Sequence, residues 1–154
     1  MGRPTKQAPP AMIARSTLLF AASCLVSCGI ATAKPAWQRV WTVTRIICPH
    51  CTSATRTTLQ DDIGTKISIA PNRFINPLYE SCRTGVDYSK MQNTTAAIAQ
   101  ASMPNLPPLH AGFVTSGTIG CALPNGPPNI IARFVFDGTT GYYLYEGGAV
   151  LQLH

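Results

Sequence analysis

From residue 40 onward the hydrophobic pattern has mostly a period of two. Trp41-Thr-Val-Thr-Arg-Ile-Ile47 is dense in β-branched and aromatic residues, puts Trp41, Val43 and Ile47 on one face, and predicts a strand. Pro49 ends it, because proline cannot donate to a central ladder. Thr65 to Ala70 alternates around Ile67 and Ile69 and predicts another strand, which Arg73 to Asn76 continues after a kink at Pro71. Phe113 to Cys121 (with a break at Gly117), Ile130 to Phe136, Tyr142 to Glu146 and Ala149 to Leu153 predict a C-terminal run of strands. A Pro/Gly/Asn loop at 122–129, a tight hairpin loop at Asp137-Gly-Thr-Thr-Gly141 and a turn at Gly147-Gly148 separate them.

Two stretches read as helices. Residues 52–63 have Ser53 as a cap, Leu59 and Ile63 on a shared face and Gly64 as a stop. Their four threonines work against a strong helix. Thr94 to Met103 is Ala-rich, capped by Thr94 and stopped by Pro104. Residues 76–87 and 104–112 predict loops. The order of elements predicts an α+β fold, mostly antiparallel β: a curled or small barrel-like sheet with one or two short helices.

The first 33 residues follow a different pattern. Arg15 precedes a short apolar run, Leu18-Leu-Phe-Ala-Ala-Ser-Cys-Leu-Val26, which is the arrangement of an export signal. Met12-Ile-Ala-Arg15 would make an ordinary basic leader, so Met12 competes with Met1 as the start. Two cleavage sites compete as well. Ala31-Thr32-Ala33 has the small-x-small form cut before Lys34. Leu25-Val26-Ser27-Cys28 resembles the bacterial lipobox, which implies lipid on Cys28. Gly29 rather than Asp after it implies transport to the outer membrane. The lipobox is the preferred reading, and the remainder, 34–154, is one β-rich domain.

Composition narrows the function classes. The formal charge is +6, but Arg3, Lys6 and Arg15 lie ahead of the apolar run with no acid among them. The remaining domain therefore carries only about +3, on basic residues scattered singly, which excludes a nucleic-acid reader with its clustered Lys and Arg. No window reaches the roughly 18 apolar residues of a transmembrane helix. Membrane association is expected only through the lipid.

Either cleavage leaves Cys48, Cys51, Cys82 and Cys121. An even number of thiols in an oxidising compartment predicts two disulfides, with three connectivities. Cys48–Cys51 with Cys82–Cys121 is preferred, and the crossed pairings stay open. A Cys82–Cys121 bridge would close a loop of about 40 residues and contribute about 3–4 kcal/mol on the chain-entropy model.

Cys48-Pro49-His50-Cys51 is the one sharp local motif. It resembles the redox motif of the DsbA family of periplasmic disulfide oxidants, which have a thioredoxin-like fold. The resemblance implies a redox pair, with Cys48 attacking, Cys51 resolving and His50 supplying positive charge. A helix N-terminus would acidify the thiol. It also implies a thioredoxin-like α/β fold, with prolines such as Pro124, Pro127 and Pro128 before a hairpin. Against it, the apolar strand runs straight into Cys48 and the chain ends in Ala149-Val-Leu-Gln-Leu153 rather than a helix. A disulfide fastening a strand end to a helix start is the plainer reading. Cys48, His50, Cys51, Cys82 and Cys121 hold nitrogen and sulfur ligands for zinc, but their spacing is not a paired set and the compartment is oxidising, so no metal and no cofactor are expected.

A wider pattern runs through residues 37–153: Trp41-Thr-Val, Ile63-Gly-Thr-Lys-Ile-Ser-Ile69 after a short helix, Cys82 in a Pro/Tyr-rich loop, Ser116-Gly-Thr-Ile-Gly-Cys121, and a hairpin ending Gly-Gly-Ala-Val-Leu. This resembles a group of small exported bacterial proteins with a lipocalin-like or calycin-like sheet. The resemblance implies a curled antiparallel sheet, a helix at one end and a Cys82–Cys121 bridge, and no activity. His110, His154 and the Tyr142, Tyr143, Tyr145 group read as surface or packing residues. The expected function is a non-enzymatic, disulfide-stabilised envelope module, periplasmic or anchored at the outer membrane. It would bind a small ligand or an envelope protein. A thiol-disulfide oxidoreductase using Cys48 and Cys51 is the alternative.

Overall fold

The computed structural model describes Gly2 and residues 33–103, 105–123 and 125–154. The expected export signal, apart from Gly2 and Ala33, the lipobox-like stretch ending at Cys28, Pro104 and Pro124 lie outside the described residues. The strands are β1 (Val40–Ile47), β2 (Lys66–Ala70), β3 (Arg73–Ile75), β4 (Val86–Asp87), β5 (Gln92–Thr95), β6 (Phe113–Leu123), β7 (Gly126–Asp137), β8 (Thr140–Leu144) and β9 (Val150–Leu153). The helices are α1 (Ser53–Gln60) and α2 (Ala96–Ser102).

The strands form one sheet in the order β3-β2-β1-β9-β8-β7-β6-β4, with β5 also on β6. Every strand pairing is antiparallel. The sheet curls into a nearly closed barrel with two short helices. The thioredoxin-like alternative therefore falls: that fold needs parallel pairs, and here the chain closes on strand β9, seated between β1 and β8.

The alternation of β7 and its neighbours sets the two faces. Phe134, Phe136, Tyr143, Leu151 and Leu153 point inward with Trp41, Val43, Ile67, Ile69 and Phe74. Trp41 stacks on Phe136 at 5.0 Å between ring centroids, Phe136 on Phe134 at 5.5 Å, and Phe134 on Tyr143 at 5.0 Å. Each such pair adds about 0.5–1.5 kcal/mol beyond the area it buries. The interior is thus filled by a column of rings. Outside, Val135, Tyr142, Val114 and Val150 are covered by α2 and the following loop through Ala99, Met103 and Leu106.

Several boundaries differ from the sequence pattern for local reasons. A register shift between Val43 and Arg45 turns the end of β1, so Ile46 joins the interior with Trp41 and Val43 while Ile47 packs on the outer cluster. Helix α1 stops at Gln60 and leaves Ile63 exposed. Thr57 and Thr58 turn their hydroxyls back onto the Ser53 and Ala54 carbonyls, competing with the helix ladder. Thr95, not Thr94, caps α2, because Gln92–Thr95 is drawn into the ladder with β6. The expected loop at 122–129 is mostly strand: Cys121 pairs with Asn129 and Leu123 with Gly126. The Asp137–Gly141 loop tightens to two residues, with Asp137 opposite Thr140 and Gly138 at φ 60°.

The loop after β3 returns the chain to the barrel. Asn76 is buried, its Oδ1 accepts the Leu78 N–H at 3.1 Å, and its own N–H donates to Ser81 Oγ at 2.8 Å. This turn lets Cys82 pair with Phe74, each N–H donating to the other's carbonyl at 2.8 Å.

Candidate functional site

Among the described residues the structure contains two disulfides, Cys48–Cys51 and Cys82–Cys121, the preferred one of the three connectivities that the sequence leaves open. They occupy different settings. Cys82 is buried in the interior cluster and tied to β3, whereas Cys121 belongs to β6 and faces Val86 of β4. Their bridge spans the seam between the two ends of the curled sheet. All four sulfurs are engaged. Among the described residues no group of three or more His, Cys, Asp or Glu is arranged to hold a metal ion.

The Cys48–Cys51 bridge closes a short loop between β1 and α1, with Pro49 and His50 exposed and both cysteines half-buried. Thr52 is the N-cap of α1, and its Oγ1 accepts the Thr55 N–H at 3.2 Å. Both cysteines therefore precede the cap, and a first-turn N–H is spent on Thr52. The helix field, which decays within a turn, acts weakly on Cys48. The cation in contact with the bridge's main chain is Arg56, a residue the sequence did not single out. Its Nη2 donates to the Cys48 carbonyl at 3.1 Å.

Two open grooves flank this bridge. One, about 400 Å³, runs past Arg45, Pro49 and Gln60. The other, about 420 Å³, lies along Ser53, Arg56 and Thr57. Their charged lining residues are arginines. The arrangement is a partly exposed bridge in a cationic setting, without the parallel strand and helix-capping position that the resemblance to the redox motif implies.

The remaining predicted residues have structural places. The His110 side chain is exposed while its main-chain N–H donates to Asp137 Oδ2 at 2.6 Å. His154 exchanges main-chain hydrogen bonds with Thr42. Tyr143 is inside the barrel and Tyr142 outside it, beneath the α2 layer. Among the described residues no helix is long and apolar enough to cross a membrane.

No protein-family model, curated protein or solved structure matches the chain.

Proposed function

We propose that this chain is an exported, non-enzymatic binding module of the bacterial envelope that meets its partner on the outside of a disulfide-stapled barrel. The observation that carries this reading is the combination of a ring-filled interior with two bridges. Trp41, Phe74 and Phe134 have no exposed surface, so the lumen is core rather than a ligand cavity. That leaves the outer surface and the barrel rim for recognition, and favours a protein partner over a small ligand held within. Two disulfides suit an oxidising compartment, in line with the basic-then-apolar leader and the lipobox ending at Cys28. The finer resemblance to lipocalin-like exported proteins agrees with the curled antiparallel sheet and the Cys82–Cys121 bridge, and says nothing of activity.

The oxidoreductase alternative is not favoured by the geometry around Cys48. Its scaffold is antiparallel, and α1 begins after Cys51. The bridge at residues 48–51 is better read as a clasp between the end of β1 and the start of α1.

Cell fractionation with thiol trapping tests the reading. The full-length precursor is expressed in a Gram-negative host, and membrane and periplasmic fractions are alkylated before and after reduction. The expected result is an envelope protein with four protected cysteines and, on the lipobox reading, a triacylated Cys28 at its N-terminus. An intact precursor with free thiols in the cytosol would overturn it.

A further inference from the structure

We propose that the mouth of the barrel binds a neutral sugar chain, with a pyranose ring stacked against Phe113 and Trp37 and hydrogen-bonded to Asn93 and Thr115. This goes beyond the protein partner proposed above and uses the rim, which the ring-filled lumen leaves open.

The register of three strands builds the site. Asn93 of β5 stands opposite Thr115 of β6, and Thr115 stands opposite Phe136 of β7. Paired residues share a face of the sheet, and Phe136 points inward, so Thr115 and Asn93 take the inner face as well. Phe113, two residues before Thr115, shares it. Phe136 is buried while Asn93 and Phe113 are exposed, so this row leads from the filled lumen out to solvent. With Trp37 these residues line a groove of about 540 Å³. Small-molecule sites span roughly 300–1,000 Å³ and recur in the mouths of β-barrels.

The groove offers aromatic surface. Phe113 is 74% exposed, although a phenyl ring gains most from burial. Trp37 is half-buried and held from two directions: its ring stacks on Phe136 at 6.0 Å between centroids and meets Tyr88 edge-on at 5.1 Å. A ring fixed in this way before binding loses little rotamer freedom when a ligand arrives. The C–H groups on the face of a pyranose carry partial positive charge, and an aromatic face is negative, so the two surfaces suit each other.

The polar groups select the ligand class. Among the described residues that line the groove none is charged, so nothing there compensates an ionic ligand for its lost hydration. The Thr115 hydroxyl donates to Asn93 Oδ1 at 3.0 Å. That bond fixes the amide and leaves its Nδ2 hydrogens as donors and the Thr115 oxygen as an acceptor. A sugar hydroxyl both donates and accepts and can use both groups. An alkyl chain or a quaternary ammonium would cover the rings but strip water from this amide and hydroxyl without replacing its hydrogen bonds. A neutral, hydroxyl-rich ring is the occupant that satisfies rings and polar groups together.

Isothermal titration of the full chain with cellohexaose and with the hexamer of N-acetylglucosamine tests the site. Saturable binding of at least one is expected, with a Kd below about 1 mM. The preferred probe tells a plain glucan from an N-acetylated glycan as the source. Phe113→Leu keeps an apolar side chain but removes the ring, and Asn93→Ala removes the amide. Each is expected to weaken binding by about tenfold while the melting temperature is retained, and Phe113→Tyr is expected to preserve it. If Asn93→Ala disturbs β5, the two Phe113 variants decide alone. No saturable binding of either sugar up to about 10 mM, or a folded Phe113→Leu that binds as tightly as the parent, overturns the proposal. So does saturable binding of a decaproline peptide when neither sugar binds, which would assign the groove to a protein segment. Any of these failures would leave the fractionation and thiol-trapping results of the preceding section untouched.

Discussion

Cys82 and Cys121 stand 5.5 Å apart at Cα and tie the β3 end of the sheet to its β6–β4 end. The antiparallel ladder leaves the barrel nearly closed, and this covalent link spans the remaining seam. The other bridge, Cys48–Cys51, at 5.4 Å between Cα atoms, constrains only a short connection.

The two bridges should accordingly differ in thermodynamic weight. On the chain-entropy model, a link across a sequence separation of 39 is worth about 3–4 kcal/mol and one across 3 about 2 kcal/mol. Urea denaturation of Cys82→Ala/Cys121→Ala and of Cys48→Ala/Cys51→Ala is expected to show the larger loss for the first pair. Equal losses would mean that the seam is held by packing alone.

Accessibility should separate them too. Cys82 is buried in the interior cluster, whereas Cys48 and Cys51 are half-buried beside two exposed residues. Under mild reduction of the folded protein, alkylation followed by peptide mass mapping should label Cys48 and Cys51 first. Cys82 should become labelled only as the barrel unfolds.

Asp137 fastens the β7–β8 turn to the loop before β6. Its two oxygens accept the N–H groups of His110 and Ala111 at 2.6 and 3.0 Å. Asp137→Ala removes two charge-assisted bonds and strands part-buried donors, a loss of about 2–4 kcal/mol. Asp137→Asn keeps one good acceptor and should recover part of it. Chemical denaturation of the two variants checks the order.

Tyr88 gives the protein an alkaline limit. Its hydroxyl donates to the Ala70 carbonyl at 2.6 Å, and burial pushes its pKa up to about 12. Between the ordinary value of 10.0 and about 12 the unfolded chain releases this proton while the folded chain keeps it. The native state then binds more protons than the unfolded one, so stability falls as pH rises through that window. Ultraviolet titration should show a tyrosine ionising near 12 that is missing in Tyr88→Phe. The variant's stability should depend less on pH above 10.

Much of the barrel was legible in the sequence because its strands alternate. Ile67 with Ile69, and Phe134 with Phe136, follow the period-two rule and point inward. The pattern failed where pairing overrides composition. Gln92-Asn-Thr-Thr95 contains no hydrophobic residue and becomes a strand only because β6 offers it a ladder. The Pro/Gly/Asn segment after Cys121 becomes strand for the same reason. A shift near Thr44 moved Ile47 to the opposite face, which no periodicity reveals. At the candidate site, Cys48 and Cys51 were evident from their motif, but Arg56 was not, since its contact with the Cys48 carbonyl depends on where α1 starts. A groove of about 350 Å³ beside α2 joins Lys90, Ile98 and Arg133 across long stretches of chain, and only the folded sheet brings them together.

Disulfide mapping of the protein recovered from cells, with free thiols trapped at lysis, tests the central claim most directly. The account predicts Cys48 linked to Cys51 and Cys82 to Cys121 in a chain whose leader has been removed. Reduced cysteines in an unprocessed chain would contradict it.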